Sequence, residues 1–255
     1  RFVMIALITD FGINDPYVGV VKGVIYSQGY TGSIVDICHH IVPYSIEHAQ
    51  YILTTSYRYF PDNTIFLVVV DPGVGTQRNI LLIHDDRYYF FMPDNGIAGC
   101  LNQNTIKVWS VDTQEFVHAS STFHGRDIFA MLASRLAMQG IEAIHCKECT
   151  NYVQHPFPWY DIKVDTVYTK VVHIDRFGNC ILSLPNEQYS LQLNAIIVNN
   201  KRYTLYHCKT YADVPLEAIG ILKGSSGFIE ICMNQKDVSK RLAVTTGDMV
   251  ELFYE

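Results

Sequence analysis

A chain of 255 residues that is 49% hydrophobic and 17% charged carries enough apolar material for a sizeable core, in one large domain or two unequal ones. That composition excludes a disordered chain. With 19 Lys and Arg against 25 Asp and Glu, a formal charge of −6 and no basic cluster, it also argues against nucleic acid or anionic lipid as a partner.

The first apolar run, Val3 to Thr9, predicts a buried strand. Asp10-Phe11-Gly12 ends it. Asn14-Asp15-Pro16 then reads as a helix start, with Tyr17, Val20, Val21, Val24 and Ile25 at helical spacing behind it. Ile34 to Ile37 predicts a second strand. Ser45 is a predicted N-cap, and Ile46, Ala49, Ile52, Leu53 and Phe60 roughly keep a 3.6 period after it. Thr64 to Val70 is β-branched and apolar on both faces, as a central strand covered on both sides should be. Ile80–Ile83 and Tyr88–Phe91 predict a hairpin, and Asp127–Met138 an amphipathic helix closed by Gly140. This order argues for an α/β layer structure with a mainly parallel sheet.

The helical signals stop after Gly140, and His155-Pro156-Phe157-Pro158-Trp159 can serve as a linker. Alternating segments follow, such as Val164–Ile174, Ala195–Tyr206, Phe228–Cys232 and Met249–Tyr254, in an all-β pattern of sandwich or barrel type. The expected organisation is an α/β domain over residues 1–158 and a smaller all-β domain over 159–255. No apolar run approaches the roughly 20 residues that a membrane-spanning helix needs. Seven scattered cysteines in a chain of this size point to a reducing, cytoplasmic setting.

Ligands of open α/β sheets bind beyond the carboxyl ends of the strands. Polar residues gather there repeatedly: Asp10, Asp36 with His39-His40, Asp71 to Arg78, Pro93-Asp94-Asn95-Gly96, and His124 to Asp127. Each has a plain structural reading. Asp71-Pro72-Gly73 can be a simple turn, His124 a satisfied buried histidine, Asp127 a helix-start carboxylate, and Asp10 a turn former. The segment from Asp71 lacks the Gly-Lys-Ser/Thr ending of a phosphate loop. Asp10, Asp36, His39, His40, Asp71, His124 and Asp127 have the residue types of a two-metal hydrolase, but no familiar ligand spacing. Cys146 and Cys149 form a lone C-x-x-C with no close second pair, which favours ordinary thiols over structural zinc.

Taken in order, Ile8–Gly12 (ITDFG), Asp15–Gly23 (DPYVGVVKG), Val69–Arg78 (VVDPGVGTQR), Pro93–Gly96 (PDNG), Thr122–Ala130 (TFHGRDIFA) and Asp175–Asn179 (DRFGN) resemble the S-adenosyl-L-methionine (SAM) hydroxide adenosyltransferases. These adenosine-forming SAM hydrolases are relatives of the fluorinase and chlorinase enzymes. The resemblance implies a Rossmann-like N-terminal domain, a small C-terminal β-domain, and a homotrimer with active sites between subunits. It implies attack of water or hydroxide on C5′ of SAM, giving adenosine and L-methionine, with no cofactor and no metal.

By the same matching, the family's catalytic Asp, Arg and His fall on Asp71, Arg78 and His124. Asp10 is the implied holder of the ribose hydroxyls. Phe177 and Asn179 would contact adenine, and Asp175 the methionine amino group. Gly224–Asn234 (GSSGFIEICMN) resembles the C-terminal segment that lines the methionine and adenine end, and Ser225 is the candidate contact within it. The halogenating relatives carry Tyr in place of the Asp, and the fluorinase has Tyr-Ser where this chain has His124-Gly125, so the likeness is to the hydrolytic branch. Two departures stand out: Gln235-Lys236-Asp237 where small residues are expected, and Ser226 where the fluorinase has an arginine. A non-catalytic SAM or adenosine sensor and a metal-dependent hydrolase are the other readings the residues leave open.

The residue types suit the chemistry. A thioether leaving a sulfonium departs neutral and needs no general acid, so the demand falls on the nucleophile. Asp and His can take a proton or hydrogen bond from water, and Arg supplies fixed positive charge that favours a hydroxide-like species.

Overall fold

A computed structural model describes residues 3–254, in two compact units that divide between His155 and Pro156. The first unit contains β1 (Ile5–Thr9), α1 (Tyr17–Ser27), β2 (Ile34–Cys38), α2 (Ile46–Ser56), β3 (Ile65–Val69), β4 (Ile80–His84), β5 (Tyr89–Pro93), β6 (Lys107–Val111), α3 (Ala130–Gln139) and β7 (Cys146–Glu148). Its seven strands form one sheet in the order β2-β1-β3-β5-β4-β6-β7. The β2-β1-β3-β5 portion is parallel. From β5 outward the β4, β6 and β7 pairings are antiparallel, and β4 and β5 are joined by a short turn rather than by a crossover helix.

The apolar runs of β1 and β3 follow from burial on both faces. Ile5, Leu7, Ile65, Leu67 and Val69 face a core shared with Val21 and Ile25 of α1 and Leu132, Ala133 and Leu136 of α3. Ala6, Ile8, Phe66, Val68 and Val70 face the opposite core with Ala49 and Leu53 of α2. The sheet is thus sandwiched between helices, and each fully buried Ile, Leu or Phe contributes about 1.5–3 kcal/mol. Ser45 caps α2 by accepting the His48 N–H at 3.2 Å. The helix stops at Ser56 instead of reaching Phe60, and a single 3-10 turn, Tyr57–Tyr59, follows. Ahead of α3 lies a wide π-helical turn, Gly125–Phe129, which carries the His124 segment into the helix.

The chain leaves β1 through α1 to reach β2 on one side, then returns through α2 to β3 on the other. The ends of β1 and β3 therefore flank the point where the winding reverses. Thr9 pairs with Val69 in register, so Asp10 and Asp71 emerge side by side at this position.

The second unit holds β8 (Asp161–Ile162), β9 (Thr166–Ile174), β10 (Cys180–Pro185), β11 (Leu193–Val198), β12 (Lys201–His207), β13 (Ile219–Lys223), β14 (Phe228–Cys232), α4 (Val238–Leu242) and β15 (Met249–Tyr254). The order is β10-β14-β13-β12-β11-β15-β9-β8, and β9 also pairs with β10, which closes a barrel. The 195–206 run is two strands. Asn199 and Asn200, with φ of 50° and 59°, make the tight turn between them. The barrel core includes Val167, Leu182, Ile196, Ile221, Ile231 and Leu252.

Among the described residues no helix is long and apolar enough to cross a membrane, and all seven cysteines are free thiols.

Candidate active site

Consecutive turns shape the segment between β3 and β4. The Val74 N–H reaches the Asp71 carbonyl at 3.2 Å, and the Thr76 N–H and hydroxyl both donate to the Gly73 carbonyl, at 3.1 and 2.6 Å. The chain so folded returns Arg78 to Asp71. Arg78 Nε donates to Asp71 Oδ1 and Oδ2 at 3.0 and 2.9 Å, and its terminal nitrogen also donates to Oδ2. The pair is nearly sealed, with side chains 9% and 6% exposed. Gly75 has φ of 79°, and a Cβ there would lie 2.2 Å from the Ser121 carbonyl oxygen. Only glycine lets this loop rest against the segment that carries His124.

His124 enters from that segment. Asp127 holds the loop by accepting the Ser120 N–H at 2.7 Å and the Arg126 Nε at 2.6 Å. Arg78 uses its terminal nitrogen to reach His124 Nδ1 at 2.9 Å. Because a guanidinium can only donate, Nδ1 must be the unprotonated nitrogen, and the neutral ring carries its proton on Nε2. Burial and then the Arg78 charge hold the His124 pKa below the ordinary 6.5, with Asp71 and Asp127 opposing weakly. The ring is neutral at physiological pH.

Asp10, Asp71 and His124 share a cleft of about 320 Å³ with Tyr17, Tyr44, Val74 and Phe123 in its walls. Phe11, Tyr17 and Phe123 pack edge to face with centroids 5.2–5.8 Å apart. Asp10 Oδ2 accepts the Tyr44 N–H at 2.9 Å. Burial pushes the Asp10 carboxyl upward, the Tyr44 N–H works against this, and the Asp71 charge adds to it. The cleft thus contains three carboxylates, Asp10, Asp15 and Asp71, with one neutral imidazole and an aromatic wall, and Arg78 stands behind Asp71 and His124 as a fixed cation.

The other polar strand-end segments do different work. Asn95 donates to the Val70 carbonyl at 2.8 Å and Asp94 accepts the Val153 N–H at 2.8 Å, so the 93–96 segment ties down the end of β3. Asp36 pairs with Lys22 at 2.6 Å and lies 2.9 Å from His39. Cys146 and Cys149 fall on and just past edge strand β7. Among the described residues no three His, Cys, Asp or Glu side chains are grouped as metal ligands.

In the second unit, Asp175 Oδ1 accepts the Phe177 and Asn179 N–H groups, both at 2.9 Å, and Oδ2 accepts Asn179 Nδ2 at 2.9 Å. Asp175 therefore builds the turn that presents Phe177, a residue 76% exposed. Phe177 and Asn179 line a cleft of about 410 Å³ with Tyr211, Met233, Gln235, Lys236 and Asp237. Ser225 sits on the exposed β13–β14 turn and does not line that cleft.

Two residues here escape sequence reasoning. Tyr211 lines the cleft, and its hydroxyl donates to Glu230 at 2.6 Å. Glu230 is buried, and burial raises its carboxyl pKa. The available signal was one charged residue inside the otherwise apolar Phe228–Cys232 strand.

Residues 5–145 match the SAM hydroxide adenosyltransferase N-terminal domain, and residues 169–251 match the C-terminal domain of the same family. The chain belongs to this family. It is 30% identical to the (R)-S-adenosyl-L-methionine hydrolase of Methanocaldococcus jannaschii, covering 98% of this chain and 96% of that protein. It is 27% identical to the enzyme of the same name from Salinispora arenicola, covering 97% of each. The crystal structure of an uncharacterized conserved protein from Thermotoga maritima superposes with a TM-score of 0.87 at 31% identity, covering 98% of this chain and all of that one.

Proposed function

We propose that this SAM hydroxide adenosyltransferase family member hydrolyses S-adenosyl-L-methionine to adenosine and L-methionine, by in-line attack of water or hydroxide on C5′. The names of the relatives support the (R)-sulfonium epimer as the preferred form. The observation that carries the reading is Arg78 bridging Asp71 and His124 in a cleft that also holds Asp10.

In this mechanism Arg78 is fixed by Asp71, so its charge needs no reorganisation to favour the hydroxide character that water gains as Asp71 takes its proton, and that oxygen then bonds C5′ as the C5′–S bond breaks. Neutral His124 offers its Nε2–H to that oxygen, and Asp71 accepts from the nucleophile's O–H with lone pairs that Arg78 leaves free. Asp10 takes the ribose hydroxyls and sets C5′ in line with the attacking oxygen. Such alignment is worth as much as about 7–11 kcal/mol. The thioether departs uncharged and asks for no acid. Asp175 and Ser225 would receive the methionine end, with Phe177 and Asn179 against adenine. The aromatic and acidic lining suits a flat base attached to a positive sulfonium. The family resemblance supports a homotrimer with active sites between subunits and no cofactor, and the scattered cysteines and missing basic cluster support a cytoplasmic setting without nucleic acid or membrane.

The test is to incubate purified protein with (R)- and (S)-SAM separately, with and without EDTA, and to quantify products by chromatography. Stoichiometric adenosine and methionine, unchanged by chelator and faster from the R epimer, are expected. Loss of activity with EDTA would favour a metallohydrolase. Tight adenosine binding without turnover would make the protein a sensor. Light scattering at the mass of three chains checks the trimer.

A further inference from the structure

Asp10 stands at the start of a loop that is anchored from behind. At the end of β1 the buried Thr9 hydroxyl lies 2.8 Å from Nδ1 of buried His39, and it accepts the Phe11 N–H at 3.2 Å. The His39 carbonyl accepts the Gly12 N–H at 2.7 Å. His39 is brought here by a slip in the β1–β2 pairing, where Leu7 faces Asp36 but Ile8 faces Cys38. Its Nε2 lies 2.9 Å from Asp36 Oδ1, a close electrostatic contact that is off the line of an aligned hydrogen bond. Asp36 Oδ2 is in turn held by Lys22 at 2.6 Å.

Phe11 donates to one lone pair of the Thr9 oxygen, which leaves the hydroxyl proton and the second lone pair to meet His39 Nδ1, while Nε2 faces the carboxylate that Lys22 holds. His39 begins the loop that continues through Pro43 to Tyr44, whose N–H holds Asp10 Oδ2. One imidazole thus fastens both segments that flank the Asp10 carboxylate, without lining the 320 Å³ cleft itself.

We infer that His39, acting through Thr9 and backed by Asp36, is a positioning residue that fixes the Asp10 carboxylate for recognition of vicinal ribose hydroxyls. This rests on the reading of Asp10 as the ribose holder. The consequence is specific: disturbing the relay weakens discrimination between ribose and a sugar lacking its hydroxyls, whereas general loosening of the fold weakens both ligands alike.

Calorimetry with adenosine and 2′,3′-dideoxyadenosine provides the test, with thermal melting as the folding check. The unaltered protein is expected to prefer adenosine by about tenfold or more, as hydrogen bonds to a carboxylate allow. Asp10→Asn collapses that ratio. Thr9→Val, which keeps shape and removes the hydroxyl, and His39→Leu are expected to collapse it as well, and Thr9→Ser to restore it. Should His39→Leu fail to fold, Thr9→Val and Asp36→Asn carry the test. An unchanged ratio in Thr9→Val, beside a collapse in Asp10→Asn, overturns the positioning role alone. An unchanged ratio in Asp10→Asn overturns the ribose reading, and the inference with it.

Discussion

Arg78 donates to Nδ1 of His124 at 2.9 Å while the same guanidinium grips Asp71, so one cation dictates the protonation of the histidine. Imidazolium at this position would place two donors face to face. The lowered pKa of His124 is the electrostatic expression of that geometry, added to the cost of burial.

An acid-side loss of activity follows. Turnover of SAM should be level through neutral pH and fall as pH drops through a midpoint below 6.5, when His124 gains its second proton. Stability moves the same way. The folded protein binds the proton less readily than the unfolded chain, so the contribution is intact above the ordinary histidine value and is lost as pH falls through the folded one. A pH–rate profile rising toward acid would contradict the neutral tautomer.

Asp71→Asn tests the ion pair from the other side. It leaves the Arg78 guanidinium buried with no counter-charge, and breaking such a pair costs about 3–5 kcal/mol. At about 2–4 °C per kcal/mol for a chain of this size, the melting temperature should fall by roughly 10 °C. Turnover should fall about 10²- to 10³-fold, as for loss of one preorganised electrostatic group. His124→Ala should match the loss in rate with a much smaller shift in melting, since it strands no buried charge. Equal melting shifts in the two variants would show that the pair contributes little to the fold.

The sequence made the buried strands β1 and β3 legible because burial on both faces leaves an unbroken apolar run. It was less informative where type depends on partners. Ala195–Tyr206 reads as one segment, since nothing in its alternation marks Asn199-Asn200 as a turn, and α2 stops short of Phe60 although the period continues. At the site, Asp71 and Arg78 meet through local turns, whereas His124 joins them from 46 residues beyond Arg78. No spacing rule connects such distant segments; the ordered family motifs did. Polar side chains at strand ends all look alike in sequence. Only the structure separates Asn95 and Asp127, which hold backbone, from Asp71 and Asp10, which face the cleft.

Gly75 isolates the effect of loop placement. Gly75→Ala forces a side chain into a left-handed backbone and against the Ser121 carbonyl, 2.2 Å from where its Cβ would sit. A destabilisation above about 1 kcal/mol is expected. Displacing the 71–78 loop also separates Arg78 from His124, so kcat should drop more than the melting shift alone explains. Normal kcat in a folded Gly75→Ala protein would mean the two loops move independently.

Phe177 distinguishes a binding surface from a core. The residue is 76% exposed, yet Asp175 spends both carboxylate oxygens on the turn that displays it. An exposed aromatic contributes little to folding, so Phe177→Ala should change stability by less than about 0.5 kcal/mol. If the ring stacks on adenine, its loss should raise the KM for SAM about 10- to 100-fold, the range for base–aromatic contacts of about 1–3 kcal/mol. Asp175→Asn should also raise KM, and lower the melting temperature as well, because it weakens the turn itself. Steady-state kinetics beside melting curves separate the two effects. A Phe177→Ala enzyme with unchanged KM would remove the ring from the adenine site.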